Sequence, residues 1–152
     1  MPGVADPWAD PAATRRPRLL LDTSVAVPAV VSDHEHHAAA LQLVSGSSMG
    51  YAGHAWFETY SVLTRLPLPQ RRTGEEALLL MAGVAPTWLP LPEDAARALI
   101  RRLVAAGVVG GAVYDALIGA AAAAATLPLV TMDRRAASTY LAVGAETQLL
   151  VS

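Results

Sequence analysis

The sequence predicts an α/β fold: a short parallel sheet with helices on both faces. Two observations carry this. From residue 18 onward, short bounded apolar runs alternate with longer segments of helical periodicity. The chain is also 152 residues long and 53% hydrophobic, enough for one domain around a packed core.

The elements follow in order. Residues 1–17, rich in proline and charge, are expected to form a poorly ordered arm, and 18–152 the folded domain. Arg18–Leu21 reads as a buried strand, and Ser24–Val31 as one or two helical turns. His34–Val44 has apolar residues at helical spacing (Ala38, Leu41, and Val44 or Ala40) and reads as an amphipathic helix. A short strand is expected at Met49–Tyr51, bracketed by glycine and serine. His54–Leu66 is helical and stopped by "LPLPQ". Glu75–Val84 is helical with Thr73 as its cap. Trp88–Leu89 reads as a strand, Glu93–Ala106 as a helix ending before Gly107, and Tyr114–Thr126 as an alanine-rich helix suited to close packing on a sheet. Leu129–Thr131 reads as a strand, Arg134–Ala142 as a helix and Gln148–Val151 as the last strand.

Composition removes whole classes of chemistry. With no cysteine there is no disulfide, thiol catalysis or cysteine-bound zinc. All eleven basic residues are arginine, so a Walker A loop and Schiff-base chemistry are excluded. The net charge of −2 does not describe a generally basic nucleic-acid binder. No apolar run reaches the ~20 residues of a membrane span. Asp6, Pro7 and Asp10 stand where a secretion signal needs an apolar core. A cytoplasmic protein without membrane contact is therefore expected.

Four acids stand at telling places. Asp22 ends the first strand and Asp133 follows the "LPLVTM" strand. Glu58 and Asp115 lie about one turn into helices. In a parallel sheet all strand C-termini share one edge, helices start there, and ligands bind there. Each acid also has a plainer reading. Asp22, Asp115 and Asp133 could cap helices, and Glu58 could pair with His54 at i, i+4. Capping and metal binding are compatible in one residue. Four gathered carboxylates repel one another, and a hard, oxygen-seeking cation such as Mg2+ or Mn2+ relieves that repulsion. Such a cation activates water and steadies charge on a phosphate.

The segments "LLLDTSVAV", "HAWFETYSVLTRL", "AVYDALIGAAAAA" and "LVTMDRRA", in this order and at about this spacing, resemble a PIN domain, and more narrowly the VapC toxins of bacterial toxin–antitoxin pairs. The likeness runs from Arg18 to the C-terminus. It implies a three-layer α/β/α sandwich with a short central parallel sheet. It further implies a Mg2+- or Mn2+-dependent endoribonuclease toxin that leaves 3′-hydroxyl and 5′-phosphate ends. Asp22, Glu58, Asp115 and Asp133 would be the metal-holding catalytic quartet, with the Thr131 hydroxyl beside them. The implied partners are RNA, a VapB-type antitoxin inserting a basic side chain near the quartet, and a second copy of the chain.

Other features have weaker claims. Arg134 and Arg135 adjoin Asp133 and are candidates for RNA phosphates. "SDHEHH" is not a HExxH motif. His34 and His37 would share a helix face, and a start capped by Ser32 or Asp33 explains the stretch better than a metal. Trp56 and Phe57 are expected in the core rather than as base-stacking platforms. Gly110 and Gly111 read either as turn residues or as a close approach to substrate. A haloacid-dehalogenase-type phosphotransferase also has an acid after its first strand, but needs a second aspartate where this chain has Ser24, and a lysine. A non-catalytic binding module and a DNA nuclease of the same superfamily remain as alternatives.

Overall fold

The computed structural model describes residues 3, 5–9 and 16–151. Five short strands, β1 (Leu19–Leu21), β2 (Met49–Ala52), β3 (Thr87–Leu89), β4 (Leu129–Thr131) and β5 (Thr147–Leu149), form one sheet in the order β3-β2-β1-β4-β5. Every pairing is parallel, with Leu20 opposite Gly50 on one side and Leu129 on the other. Among the described residues seven α-helices connect them: α1 (Thr23–Val30), α2 (His37–Gly46), α3 (Ala55–Arg65), α4 (Gly74–Val84), α5 (Glu93–Ala106), α6 (Ala112–Ala125) and α7 (Ala137–Ala142).

The two faces follow from the two-residue strand period. Leu21, Tyr51 and Val130 point to one side, into a core built with α1 to α4. Leu20, Ala52 and Leu129 point to the other, against α6 and α7. Leu20 and Leu21 are fully buried, each worth ~1.5–3 kcal/mol relative to exposure. That makes β1 a rigid stem for the residue that follows it. A third cluster, with Leu99, Leu103 and Ala116, joins α5 to α6. The three-layer α/β/α sandwich with a parallel centre is as expected.

The alanine run of α6 serves close packing. A Cβ on Gly119 would lie 2.8 Å from Val143 Cγ2 and 2.9 Å from Tyr140 Cδ1, so only glycine lets α7 approach this near. Thr73 caps α4 as expected, and Glu76 completes a capping box. Glu76 N–H donates to Thr73 Oγ1 and the Glu76 carboxylate accepts from Thr73 N–H.

Several expectations need correction. The helix expected from His34 starts at His37, and neither Ser32 nor Asp33 caps it. Asp33 instead accepts from the Gln70 side-chain amide. His34 lies in the preceding turn, so it shares no helix face with His37, whose Nδ1 meets the Pro28 carbonyl at 2.7 Å. The segment Arg134–Ala142 divides into a 3-10 turn, Arg134–Ala136, and α7. Asp133 caps that turn, its side chain accepting the Arg135 N–H. Trp56 is half-buried and stacks on Trp88, but Phe57 is 56% exposed. The expected arm lies in large part outside the described residues. Within them, Trp8 Nε1 donates to the Ala85 carbonyl at 3.3 Å and its ring meets Trp56 edge-on.

Candidate active site

β1 and β4 are neighbours at the centre of the sheet, so their C-terminal ends deliver Asp22 and Asp133 to one edge. α3 and α6 carry Glu58 and Asp115 in their first turns, where the helix dipole favours negative charge. All four acids line a single cleft of about 620 Å³.

Asp22 is only 2% exposed and stands at the N-terminus of α1 without capping it. Ser24 Oγ donates to its Oδ1 at 2.6 Å, and the Tyr140 hydroxyl donates to its Oδ2 at 2.9 Å. Burial pushes its carboxyl above the ordinary range, and these hydrogen bonds pull it partly back. Asp115 is half-buried. Burial raises its carboxyl too, and the charges of Glu58 and Asp133 raise it further, with Arg135 opposing. Burial likewise pushes the Tyr140 hydroxyl far up, aided by Asp22, Asp115 and Asp133. Asp115 therefore lies in the field of Glu58 and Asp133, a repulsion that a cation relieves.

Asp133 does two things at once. Its Oδ1 accepts the Arg135 N–H at 2.9 Å, a cap, while its side chain lines the cleft. Thr131 is 3% exposed and lies beneath the cleft. Its Oγ1 accepts the Asp133 N–H at 3.0 Å and sits 3.3 Å from Ser24 Oγ. Its hydroxyl thus positions Asp133. Arg134 and Arg135 both line the cleft, and Arg135 Nε approaches Asp133 Oδ1 at 3.4 Å. Glu58 does not pair with His54, whose ring stacks on Tyr114 with centroids 5.0 Å apart. Gly110 adopts φ +61 in the turn before α6.

Two residues escaped the sequence reading. Ser24 clamps the site: it donates to Asp22 and accepts the Met132 N–H at 2.8 Å, stitching α1 to the end of β4. Its place two residues after Asp22 was the available signal. Tyr140 gave none, since its contact spans 118 residues.

The donor set suits a hard cation. It consists of oxygens: four carboxylates, plus the Thr23 hydroxyl, buried in the cleft wall without a protein partner. Among the described residues no three histidine, aspartate or glutamate side chains form a ready-made ion cage. Mg2+ does not require one, because it keeps several waters and is held through one or two carboxylates.

The chain matches the family model of the PIN domain over residues 19–141. It is 41% identical over 129 residues to Ribonuclease VapC27 of Mycobacterium tuberculosis, spanning 85% of this chain and 94% of that protein. It is 39% identical over 130 residues to Ribonuclease VapC40 of the same organism, spanning 85% and 96%. The fold is similar to that of Mycobacterium tuberculosis VapC20, a sarcin–ricin-loop-cleaving toxin, with TM-score 0.61 and 17% identity over 84% of this chain and 95% of that one. It is also similar to a chain of VapBC2 from Rickettsia felis bound to promoter DNA, with TM-score 0.61 and 15% identity over 86% and 97%.

Proposed function

The chain belongs to the PIN-domain family and, within it, to the VapC ribonucleases, and from that membership we propose that it is a toxin endoribonuclease neutralised by a cognate antitoxin. The observation that carries the reading is the single cleft lined by Asp22, Glu58, Asp115 and Asp133 at the carboxyl edge of the sheet.

In this reading Asp22, Glu58, Asp115 and Asp133 are the residues that would hold Mg2+ or Mn2+. When bound, the cation polarises the phosphate and lowers the pKa of a coordinated water. The chain supplies the rest. Ser24 and Tyr140 hold both oxygens of Asp22, so that carboxylate does not swing. Thr131 and the 3-10 turn fix Asp133. The arginines at 134 and 135 hold RNA phosphates against the acidic wall.

An antitoxin peptide with a basic side chain suits the same rim, since a guanidinium takes two carboxylate oxygens at once. A second copy of the chain is the partner we assign to Phe57, Tyr60 and Tyr114, all exposed. Among the described residues no helix is long and apolar enough to cross a membrane; a cytoplasmic location is part of the proposal.

Incubating the purified protein with RNA, and with single-stranded DNA of the same sequence, tests the proposal. RNA fragments with 3′-hydroxyl and 5′-phosphate ends support it. Preferential DNA cleavage favours a DNA nuclease, and RNA binding without cleavage favours a binding module.

A further inference from the structure

The cleft has a second wall, which the carboxylates do not explain. The turn between α1 and α2 brings His34, Glu35 and His36 to line it together with the four acids. The turn is pinned. His34 N–H donates to the Val31 carbonyl at 3.1 Å, His37 N–H donates to the His34 carbonyl at 2.9 Å, and the His37 ring is fastened to Pro28.

The His34 ring is oriented as well. Its Nδ1 accepts the His36 backbone N–H at 3.1 Å, so Nδ1 carries no proton and the neutral ring carries it on Nε2. With Nδ1 turned back onto its own loop, Nε2 is the edge this side chain offers a ligand. Metal binding is a poor use for it, since the hard cation that suits this cleft prefers oxygen ligands to imidazole.

RNA needs hydrogen-bond donors, and carboxylates only accept. Most side-chain donors of the cleft are committed. Ser24 and Tyr140 donate to Asp22, the Arg135 guanidinium leans on Asp133, and the His36 ring lies 3.6 Å from the Glu35 carboxylate. His34 Nε2 and Arg134 carry no such commitment to an acid. We infer that His34 is a substrate contact of this cleft, its Nε2–H donating to a backbone phosphate oxygen of the bound RNA. The inference rests on the ribonuclease reading and adds a residue to it.

Two substitutions separate the contact from the loop. His34→Asn keeps an acceptor where Nδ1 stands, preserving the bond from His36 N–H, but has nothing at Nε2. His34→Gln carries an amide donor about as far out as Nε2. The probe is a short fluorescein-labelled single-stranded RNA of mixed sequence, bound in the cleavage-silent Asp115→Asn background and cleaved in the otherwise wild-type one. A charge-assisted hydrogen bond predicts that His34→Asn weakens binding about tenfold and raises KM alike, with kcat changed less than about threefold. His34→Gln restores binding to within about threefold. If folded His34→Asn binds and cleaves RNA as the parent does, or if His34→Gln is as weak as His34→Asn, the contact is wrong. A parent that cleaves no RNA fails the ribonuclease reading instead, and the two failures are told apart in the same assay.

Discussion

Tyr140 on α7 donates its hydroxyl to Oδ2 of Asp22 at the end of β1, at 2.9 Å, and Gly119 makes the approach of α7 possible. The bond ties the last third of the chain to the first acid of the site. Tyr140→Phe leaves a buried carboxylate oxygen short of a donor, which costs about 1–3 kcal/mol. We expect a lower urea midpoint and a cleavage rate down roughly tenfold, because a freed Asp22 samples unproductive rotamers. A variant as stable and as active as the parent would show that Tyr140 only fills space.

Gly119→Ala should reach the same site indirectly. The added methyl meets Val143 and Tyr140 inside 3 Å, so α7 must shift. Overpacking of this kind costs about 1–3 kcal/mol. Activity should fall more than stability alone accounts for when both are measured well below the melting temperature. Full activity at that temperature would uncouple α7 from catalysis.

The raised carboxyls of Asp22 and Asp115 fix a sign for the pH dependence of stability. Their folded pKa values lie above the ordinary aspartate value of 3.8, so above that pH the folded state binds more protons than the unfolded one. In metal-free buffer, stability should fall as pH rises from 3.8 through the raised values. Asp115→Asn should flatten that fall. Removing one of several repelling, partly solvated charges is worth on the order of 0.2–1 kcal/mol per pair. Mg2+ should reverse the loss near neutral pH, by about 2.7 kcal/mol at a hundredfold excess over its Kd. Thermal melts across pH, with and without Mg2+, read all three effects. A metal-free protein most stable at neutral pH would contradict the account.

Arg134 and Arg135 are tested by salt. Each single-stranded phosphate contact contributes about 0.7 to the slope of log K against log salt. Alanine at either position should reduce the slope by about that much, with Ca2+ replacing Mg2+ to prevent cleavage. Arg135 should show the smaller change, because its guanidinium is shared with Asp133. Unchanged slopes would return both to ordinary surface.

We assign the apolar segment of the antitoxin to a groove between α2 and α3, and Leu41, 43% exposed on α2, tests it. α1 packs against both α2 and α3, so a peptide between those two helices would lie over α1. Leu41→Asp should stay folded and lose antitoxin affinity. Circular dichroism checks the fold and calorimetry the binding. Unchanged affinity in a folded variant would remove that groove.

The gathering of Asp22, Glu58, Asp115 and Asp133 in one cleft was readable because it depends on order along the chain. An acid placed directly after a buried strand goes to the ligand-binding edge whatever the details of packing. The strands at Leu19–Leu21 and Leu129–Thr131 were equally plain, since a short apolar run between helical segments has few other uses. What sequence left hidden is what long-range packing decides. Tyr140 finds Asp22 through Gly119, and the start of α2 is set by the pinned turn at His34 rather than by a cap. Phe57 was expected in the core, yet it is 56% exposed.

The most direct test of the central claim, that these four carboxylates form a metal-dependent nuclease centre, is the cleavage rate of one end-labelled RNA as Mg2+ is titrated. The wild type is compared with Glu58→Gln and Asp115→Asn, all confirmed as folded. The account predicts saturable dependence on Mg2+, abolition by EDTA, and a loss of at least about a hundredfold in each variant, the scale expected when charge stabilisation at the reacting phosphate is removed. Cleavage that persists in EDTA, or that Glu58→Gln and Asp115→Asn perform at the wild-type rate, would contradict it.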